Sequence, residues 1–370
     1  MVQHTNTPPL NQKAFLKNGA VMQTAPDQFK LIMGPFSEVN FEASNRQDEV
    51  SFVYQPHFWD FLDSTTESKS LFKGVSGVTF KRNELLNWLR EVKSERPKLA
   101  WQNVDSQPFK EQFEWSQRAF SQNQLAKTVP LISQKSRTRF TAENLVWVIT
   151  HHLSENHFGW AYGFWQNGEG FFGQTPELLV DWKNDDNKLK TSALAGTVKN
   201  EPGQEAVILS DQKIRQEHQF VVDDIAERLQ TLFSNGQIQK NETQVLKLKH
   251  LLHLKTDFFC NDVTRAQALR VIQSLHPTAA LGIYPRNVAE MTAFSELNLQ
   301  NDRLSFAAPF AFVEKNEILA VAAIRNFYFS ATEVKILSGC GITTESVYET
   351  ELAELELKRE SVKRMMGLNE

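Results

Sequence analysis

Three charged residues near the C-terminus are spaced to act together on a metal ion or an anion. Glu351 and Glu354 are three residues apart, and Lys358 follows four residues after Glu354. Residues at these spacings share one face of a helix. Two carboxylates one turn apart suit Mg²⁺, which takes few protein oxygens and keeps several waters. The alternative interpretation is a solvated helix face with an intrahelical ion pair, a common surface feature.

Three more segments carry groups that suit an anionic ligand or a metal. Glu217, in KIRQEHQFVVDDI, is a further acidic residue on a predicted helix. The alternative to a functional role is an ion pair with Lys213 at the i, i+4 spacing. Arg325 lies in the apolar stretch LAVAAIRNFYF, where a buried guanidinium needs an anion and suits a carboxylate. ALAGT, at residues 193–197, predicts a tight turn that presents backbone N–H groups and one hydroxyl.

Two further charged residues are ambiguous by themselves. Lys127 is predicted to end a helix, where a cation complements the helix dipole. Glu177 follows Thr175-Pro176 and is compatible with an ordinary surface position. Neither residue alone indicates a catalytic group.

Two sequence patterns resemble known binding motifs but lack the surrounding structure or spacing that those motifs require. GEGFFG at 168–173 has the glycine pattern of dinucleotide-binding loops, but Asn167-Gly168 predicts a hairpin turn and no helix follows. His151, His152 and His157 lack the spacing of a zinc site and are expected to be solvated loop histidines. We therefore expect neither a nucleotide site nor a zinc site.

Composition narrows the class of protein. The chain has 370 residues and a formal net charge of −4, so no basic surface points to nucleic acid. Two cysteines, Cys260 and Cys340, argue against a disulfide framework and fit a reducing compartment. The sequence shows no signal peptide and no apolar stretch long enough to span a membrane. We expect a cytoplasmic protein with a loose leader at 1–14, and a monomer.

Hydrophobic periodicity predicts a chain of meandering strands with outer helices. Helices are predicted around Glu84–Glu95, Phe109–Lys127, 203–235, Ala266–Leu275 and Tyr348–Met366. Strands are predicted in LIMGPFSEVNF, SFVYQPHF, VPLIS, NLVWVIT, GWAYGFW, GFFGQ, ELLVDW, KLKTSALAGTV, RLSFAAPFAFV, EILAVAAIRNFYF and VKILSGCGI. Because strands follow one another rather than alternating with helices, the expected class is antiparallel α+β in one composite domain over 1–370.

In order, these segments resemble the chorismate-utilising enzymes: anthranilate synthase large subunits, aminodeoxychorismate synthases, isochorismate synthases and salicylate synthases. The matching segments are LAKTVPLIS, GQTPELLV, ALAGT, KIRQEHQFVVDDI, LLHLKTD, LHPTAALGIYPR, AAIRNFYF and GCGITTES with ETELAELELK. The resemblance implies two large, mostly antiparallel sheets with outer helices, and a core catalytic portion over 105–366.

The resemblance also implies ligand roles. Mg²⁺ would join a carboxylate of chorismate to Glu217 and Glu354, with Glu351 adding a direct or water-mediated contact. The residues implied for the substrate are Gly196, Thr197, His253, Arg325, Gly339, Gly341 and Lys358.

The subfamily depends on the nucleophile. Aminodeoxychorismate synthases carry lysine where this chain has Ala195, and anthranilate synthases usually carry glutamine where it has Lys127. Lysine at the latter place is typical of the members that use water, which needs a base to attack C2. The resemblance therefore implies Lys127 as the base and Glu177 as the acid that protonates the departing C4 hydroxyl. The segment at 275–281 resembles isochorismate synthases more than salicylate synthases.

Alternatives remain at this point. A salicylate synthase would also release pyruvate, and an anthranilate synthase would need ammonia or a glutaminase partner, which we do not expect. A relative that only binds chorismate-like ligands is the third alternative. The product would be used in menaquinone or siderophore synthesis, and the residues are compatible with both pathways. The chain departs from the family pattern at Ile214, Ile283, Phe306, Ala308 and Cys340.

Overall fold

The structure is a computed structural model that describes residues 11–39, 51–62, 70–247 and 251–369. Its α-helices are α1 (Gln12–Lys17), α2 (Arg82–Arg90), α3 (Gln107–Ser121), α4 (Ala142–Leu153), α5 (Gln204–Ser210), α6 (Gln212–Leu232), α7 (Arg265–Leu275), α8 (Val288–Ser295) and α9 (Tyr348–Met366). Short 3₁₀ helices occur at Asp60–Leu62, Asn235–Gln237 and Asn301–Arg303.

The strands are β1 (Asn18–Ala25), β2 (Gln28–Met33), β3 (Ser37–Val39), β4 (Phe52–Tyr54), β5 (Leu71–Lys73), β6 (Ser76–Lys81), β7 (Leu131–Ser136), β8 (Trp160–Gln166), β9 (Glu169–Thr175), β10 (Leu178–Lys183), β11 (Lys188–Lys199), β12 (Ile238–Lys240), β13 (Gln244–Lys247), β14 (Leu251–Cys260), β15 (Pro309–Val313), β16 (Glu317–Ala322), β17 (Asn326–Phe329) and β18 (Val334–Gly339).

The strands form two large antiparallel sheets. One has the order β6-β2-β1-β8-β9-β17-β18-β7, and the other has the order β12-β14-β11-β10-β16-β15-β4-β5-β3, with β13 also paired to β14. Pairing between neighbours in both sheets is antiparallel, as in β1–β8 and β11–β14. The α+β prediction with two antiparallel sheets is confirmed, and the strands β1 to β6 make the N-terminal part integral to both sheets.

The sheets pack face to face, and helices cover their outer faces. Apolar side chains from both sheets meet between them, among them Met22, Phe164, Phe310 and Phe312. Helices α6 and α7 pack on the second sheet, and α2, α4 and α9 pack on the first. The described residues therefore form a four-layer arrangement, with the two sheets packed on each other and helices outside them.

One predicted strand is a helix. NLVWVIT lies within α4, which begins after Thr141, whose hydroxyl accepts from the Asn144 N–H. The helix buries Leu145, Val146, Val148 and Ile149. A short apolar run does not distinguish a buried strand from a buried helix by periodicity, and here the cap at Thr141 decides the outcome.

Three predicted helices have different limits. The helix predicted around Glu84–Glu95 is α2, which begins at Arg82 and ends at Arg90. The helix predicted over 203–235 is two helices, α5 and α6, because Asp211 is extended and its side chain caps Ile214. The helix predicted to run to Lys127 ends at Ser121, followed by Asn123 in the left-handed region at φ 54°. Lys127 therefore does not end a helix but lies in an extended segment bridged to Tyr284.

The long strand predicted in EILAVAAIRNFYF is divided between the sheets. β16 belongs to one sheet and β17 to the other, and Arg325 has φ 56° in the connection between them. The strand predicted in RLSFAAPFAFV is also shorter and begins at Pro309. A buried apolar run can continue from one sheet into another, so its composition does not reveal the break.

Two smaller predictions also change. Residues 12–14 of the predicted loose leader are helical in α1, while residues 1–10 lie outside the described residues. ALAGT is not a turn at the end of a strand but an interior part of β11, where the pairing with β14 shifts register between Ala195 and Thr197. Gly196, at φ 73°, is the bulged residue.

The cap of α6 provides a test of this local structure. Asp211→Ala should lower the free energy of unfolding by about 1 kcal/mol, because the Ile214 N–H loses its acceptor at 2.9 Å. Urea denaturation would measure the change, and Asp211→Asn, which keeps an acceptor, is the matched control. An equal loss in both variants would contradict the capping role.

Candidate active site

A cavity of about 240 Å³ lies where the two sheets, α6 and α9 approach one another. Its volume is below the range of about 300–1,000 Å³ that is usual for drug-sized ligands, so it suits one small molecule. All twelve residues that the sequence analysis proposes for the site border it: Lys127, Glu177, Gly196, Thr197, Glu217, His253, Arg325, Gly339, Gly341, Glu351, Glu354 and Lys358. Their proximity is a finding, whereas their individual roles remain predictions.

Lys127 is the most buried charged side chain of this group. Only 1% of it is exposed, and its Nζ lies 3.0 Å from Glu217 Oε1 on α6. Its backbone is held by hydrogen bonds in both directions with Tyr284, at 3.1 Å and 2.8 Å. A buried ammonium needs a charged or polar partner, and Glu217 provides it.

Gly341 leaves the space that this ion pair occupies. A Cβ atom at this position would lie 2.6 Å from Glu217 Oε1 and 2.8 Å from Lys127 Cε. Both distances are shorter than a van der Waals contact. A side chain at this position would therefore force the two charged groups to shift.

Glu177 has the properties of a proton donor near neutral pH. The side chain is buried, and burial raises the pKa of its carboxyl group to about 7, against the opposing effect of Lys127 and Lys358. A carboxyl group with this pKa is partly protonated at pH 7, so it can both donate and accept a proton.

Arg325 lies at the point where the chain passes from one sheet to the other. Its left-handed backbone, at φ 56°, is uncommon for a non-glycine residue. Its own carbonyl and that of the preceding residue accept hydrogen bonds from the first sheet. Gln174 N donates to Arg325 O at 3.2 Å, and Tyr162 Oη donates to Ile324 O at 2.8 Å. Burial lowers the pKa of Arg325, and Glu354 acts in the opposite direction.

The charged face of α9 contains an intrahelical ion pair and also borders the cavity, so both interpretations of the spacing apply. Lys358 Nζ lies 2.7 Å from Glu354 Oε1, so the intrahelical ion pair exists. The pair borders the cavity, and Lys358 also donates to Gly339 O at 2.8 Å. Lys358 lowers the pKa of Glu354, which keeps that carboxylate charged.

Glu351 is paired with a lysine from another helix. Lys213 Nζ on α6 lies 3.8 Å from Glu351 Oε1, in place of the alternative pair between Lys213 and Glu217. Burial raises the pKa of Glu351, and the neighbouring Glu354 raises it further. Lys213 also borders the cavity, and sequence reasoning assigned it no role there.

The β-bulge at Gly196 shapes a second wall. A Cβ atom at Gly196 would lie 2.7 Å from Ile214 Cγ2, so α6 packs directly on the bulge. Thr197 Oγ1 and His253 Nδ1 are 2.8 Å apart across β11 and β14. Burial, followed by the Arg325 and Lys358 charges, lowers the pKa of His253 to about 4, so its ring is neutral at pH 7.

The acidic residues are compatible with a magnesium ion in type. Glu217, Glu351 and Glu354 all raise the pKa of the buried Cys340 thiol, so three carboxylates converge on one region. As they stand, each is turned to a lysine, and the described residues contain no cluster of three or more His, Cys, Asp or Glu that is arranged to hold a metal. Mg²⁺ needs only one or two carboxylates with its waters, so the donors fit the ion.

Arg303 also borders the cavity and was missed by the sequence analysis. The signal was weak because a single arginine in NDRLSF has no periodic or motif context. With Arg303 and Lys213 included, five basic side chains and four glutamates border the cavity. The site therefore favours an anionic ligand, and more so when Glu177 is protonated.

The two rejected motifs lie elsewhere. GEGFFG forms the turn and strand of the β8–β9 hairpin, as its context predicted. The prediction of solvated loop histidines is wrong for His151 and His152, which lie on α4. His152 is buried within 2.8 Å of Gln174 Oε1, and burial lowers its pKa to about 3.

Comparison with known families identifies relatives of this chain. A family model described as chorismate binding enzyme matches residues 61–367. The isochorismate synthase MenF of Escherichia coli is 28% identical over 224 residues, which are 59% of this chain and 49% of that protein. The salicylate biosynthesis isochorismate synthase of Pseudomonas aeruginosa is 30% identical over 237 residues, or 60% of this chain and 48% of that protein. The matches thus span about half the length of these curated relatives.

Solved structures share the fold. The menaquinone-specific isochorismate synthase MenF of Escherichia coli superposes with a TM-score of 0.77 at 17% identity, over 97% of this chain and 92% of that one. No helix among the described residues is long and apolar enough to cross a membrane.

The steric role of Gly341 gives a direct test. Gly341→Ala should lower the free energy of unfolding by about 1–3 kcal/mol, because the added methyl group displaces the Lys127–Glu217 pair. Gly236→Ala is the matched control, since a Cβ at Gly236 meets no atom within 4 Å. Thermal or urea unfolding measures both variants. Equal stability of the two would show that the pair does not depend on the space at Gly341.

Proposed function

The chain belongs to the family of chorismate-binding enzymes, and we propose that it is a magnesium-dependent isochorismate synthase. It would convert chorismate to isochorismate by adding water at C2 and releasing the hydroxyl from C4. The observation that carries the proposal is the presence of both Lys127 and Glu177 on one small cavity, where both are buried and Lys127 is close enough to influence the Glu177 pKa. The names of the relatives support the same reaction.

Substrate binding would depend on the basic residues of the cavity. Chorismate carries two carboxylates, and Arg325 and Lys358 are placed on the wall formed by the crossing between sheets and by α9. The planar guanidinium of Arg325 suits a two-point contact with one carboxylate. Backbone groups at Gly339 and Gly341 would be close to the ligand because neither residue has a side chain. Thr197 and His253 would contact the ring side from β11 and β14.

Proton transfer would be divided between the two buried groups. Lys127, in its neutral form, would take a proton from the water that attacks C2. Glu177, in its protonated form, would give its proton to the leaving C4 hydroxyl, which departs as water. The ring double bonds shift between the two carbons, so one water enters, one water leaves and no net oxidation occurs.

Glu217 and Glu354 would hold Mg²⁺, and Glu351 would support them. When bound, the ion would neutralise a substrate carboxylate and fix its position. Glu217 would have to exchange its contact with Lys127 for the metal, and Glu354 its contact with Lys358. That exchange would leave both lysines available to the substrate and to water.

The reaction is tested with purified protein, chorismate and Mg²⁺. We expect isochorismate without pyruvate, and loss of turnover when a chelator removes the metal. Lys127→Gln should lower kcat by about 10²–10⁴-fold, the usual contribution of a general base. Lys335→Gln is the control, since Lys335 is also buried but does not border the cavity.

Product analysis separates the alternatives. Salicylate with pyruvate would indicate a salicylate synthase, and product only with ammonia an anthranilate synthase. Binding without turnover would indicate a non-catalytic relative. Isochorismate formation by Lys127→Gln at the wild-type rate would rule out the base assignment.

The pH dependence follows from Glu177. Because its carboxyl must be protonated to act as an acid and its pKa lies at about 7, kcat should fall as pH rises through that value. Glu177→Gln should retain about 1% or less of kcat and lose this basic limb, since an amide donates no proton. Glu317→Gln is the control, because burial raises the pKa of that glutamate too and it lies outside the cavity. A limb that persists in Glu177→Gln would assign it to another group.

A further inference from the structure

Arg303 is a fully buried guanidinium at the wall of the cavity. It donates to Leu281 O at 2.6 Å, to Phe306 O at 3.1 Å and to Gln300 Oε1 at 3.4 Å. Leu281 and Phe306 themselves border the cavity. One side chain thus holds two separate segments of the wall by their backbone.

Arg303 is a buried arginine that borders the cavity without an acidic partner in the described part of the chain. Among the residues that the structure describes, no carboxylate lies within ion-pair distance of it, whereas Arg286 pairs with Asp224 at 2.8 Å. Its guanidinium lies 3.4 Å from the centroid of the Phe58 ring, which offsets part of the cost of burial. Burial lowers the pKa of Arg303, but arginine starts so high that the group stays charged.

An unbalanced buried charge is costly, so its presence beside a cavity needs an explanation. Carbonyl oxygens and an aromatic face carry only partial negative charge, and they do not neutralise a full positive charge. An anion in the cavity would supply the missing negative charge across the wall. The positive charge of Arg303 stabilises a bound ligand with two carboxylates more than a ligand with one.

A chain of buried polar groups joins Arg303 to the segment that carries the catalytic lysine. Gln300 Nε2 donates to Gln112 Oε1 at 2.7 Å, and Ser116 Oγ donates to Gln112 O at 2.8 Å. Thr128 Oγ1 donates to Ser116 Oγ at 2.8 Å. These four side chains are all fully buried, and Thr128 follows Lys127 directly. These hydrogen bonds connect the wall held by Arg303 to the segment that carries Lys127, and they can hold the two in a fixed relative position.

We propose that Arg303 is a positioning residue for the dianionic substrate. It fixes the Leu281 and Phe306 walls without touching the ligand, and its charge is balanced only when a dicarboxylate fills the cavity. The inference rests on the proposed function for the identity of the ligand. It predicts a defect in binding rather than in the chemical step.

The test compares Arg303→Gln with Arg286→Gln, which removes a buried arginine that also donates to backbone carbonyls but lies outside the cavity. Arg303→Gln should raise KM for chorismate about tenfold or more, with kcat within about threefold, which is the pattern of lost ground-state and transition-state binding. Arg286→Gln should lower thermal stability and leave KM unchanged. Arg303→Lys, which keeps the positive charge, should have a KM closer to that of the wild type than Arg303→Gln has.

Ligand-induced stabilisation provides the second readout. Chorismate should raise the Tm of the wild type and of Arg286→Gln, and raise that of Arg303→Gln much less at equal concentration. If Arg303→Gln does not fold, Gln300→Met replaces it, because it removes one acceptor and the link to Gln112 while the charge remains. We expect Gln300→Met to raise KM with little change in kcat.

The outcomes are distinct. Wild-type protein that neither binds nor converts chorismate would refute the proposed function. Wild-type activity combined with an unchanged KM in Arg303→Gln, or in Gln300→Met when the first variant is unfolded, would refute the role of Arg303. A parallel fall of kcat in Arg303→Gln and Arg286→Gln, with KM constant, would show that both arginines serve only the fold.

Discussion

The placement of an ammonium group in a nearly dry position is the constraint around which the site is built. Lys127 is 1% exposed, so it needs a carboxylate, and Glu217 must approach it from another element. Helix α6, which follows its cap at Asp211, brings Glu217 to this position, and Gly341 leaves the space that the pair occupies. The bridge to Tyr284 also fixes the Lys127 backbone. Sheet, helix and glycine are thus tied to one ion pair.

The proposed binding of a metal and an anion by one cavity depends on the same balance of charge. Three carboxylates converge there, and each is held by a lysine. Lysine ammonium groups are mobile point charges on flexible stems, so they can yield a carboxylate to an ion and turn to a substrate. The Arg303 guanidinium is held by hydrogen bonds to backbone carbonyls of the wall and is less free to move. The site therefore combines exchangeable charges with a fixed one.

The residues that depart from the family pattern mostly lie in packed positions. Ile214 lies against the bulge at Gly196, and Ile283 is buried among aliphatic and aromatic side chains. Ile214 and Phe306 both border the cavity, and Phe306 has no hydroxyl to donate. Its backbone carbonyl nevertheless accepts from Arg303. The position keeps a structural role although its side chain is apolar.

The antiparallel α+β class, the ends of α9 and twelve of the residues that border the cavity are predictable from the sequence, whereas the roles of Lys213 and Arg303 at the cavity are not. The class and the helix ends follow from local periodicity, which is a property of neighbouring residues. The twelve site residues follow from the resemblance of ordered motifs to those of the chorismate-utilising enzymes. Only the tertiary structure decided that NLVWVIT is helical, that Arg325 lies between sheets, that Lys213 reaches Glu351 and that Arg303 is buried without an acid. Each of these depends on what packs against the residue from distant parts of the chain. Spacing along a sequence determines which side chains share an element, but burial and pairing arise only when the elements meet.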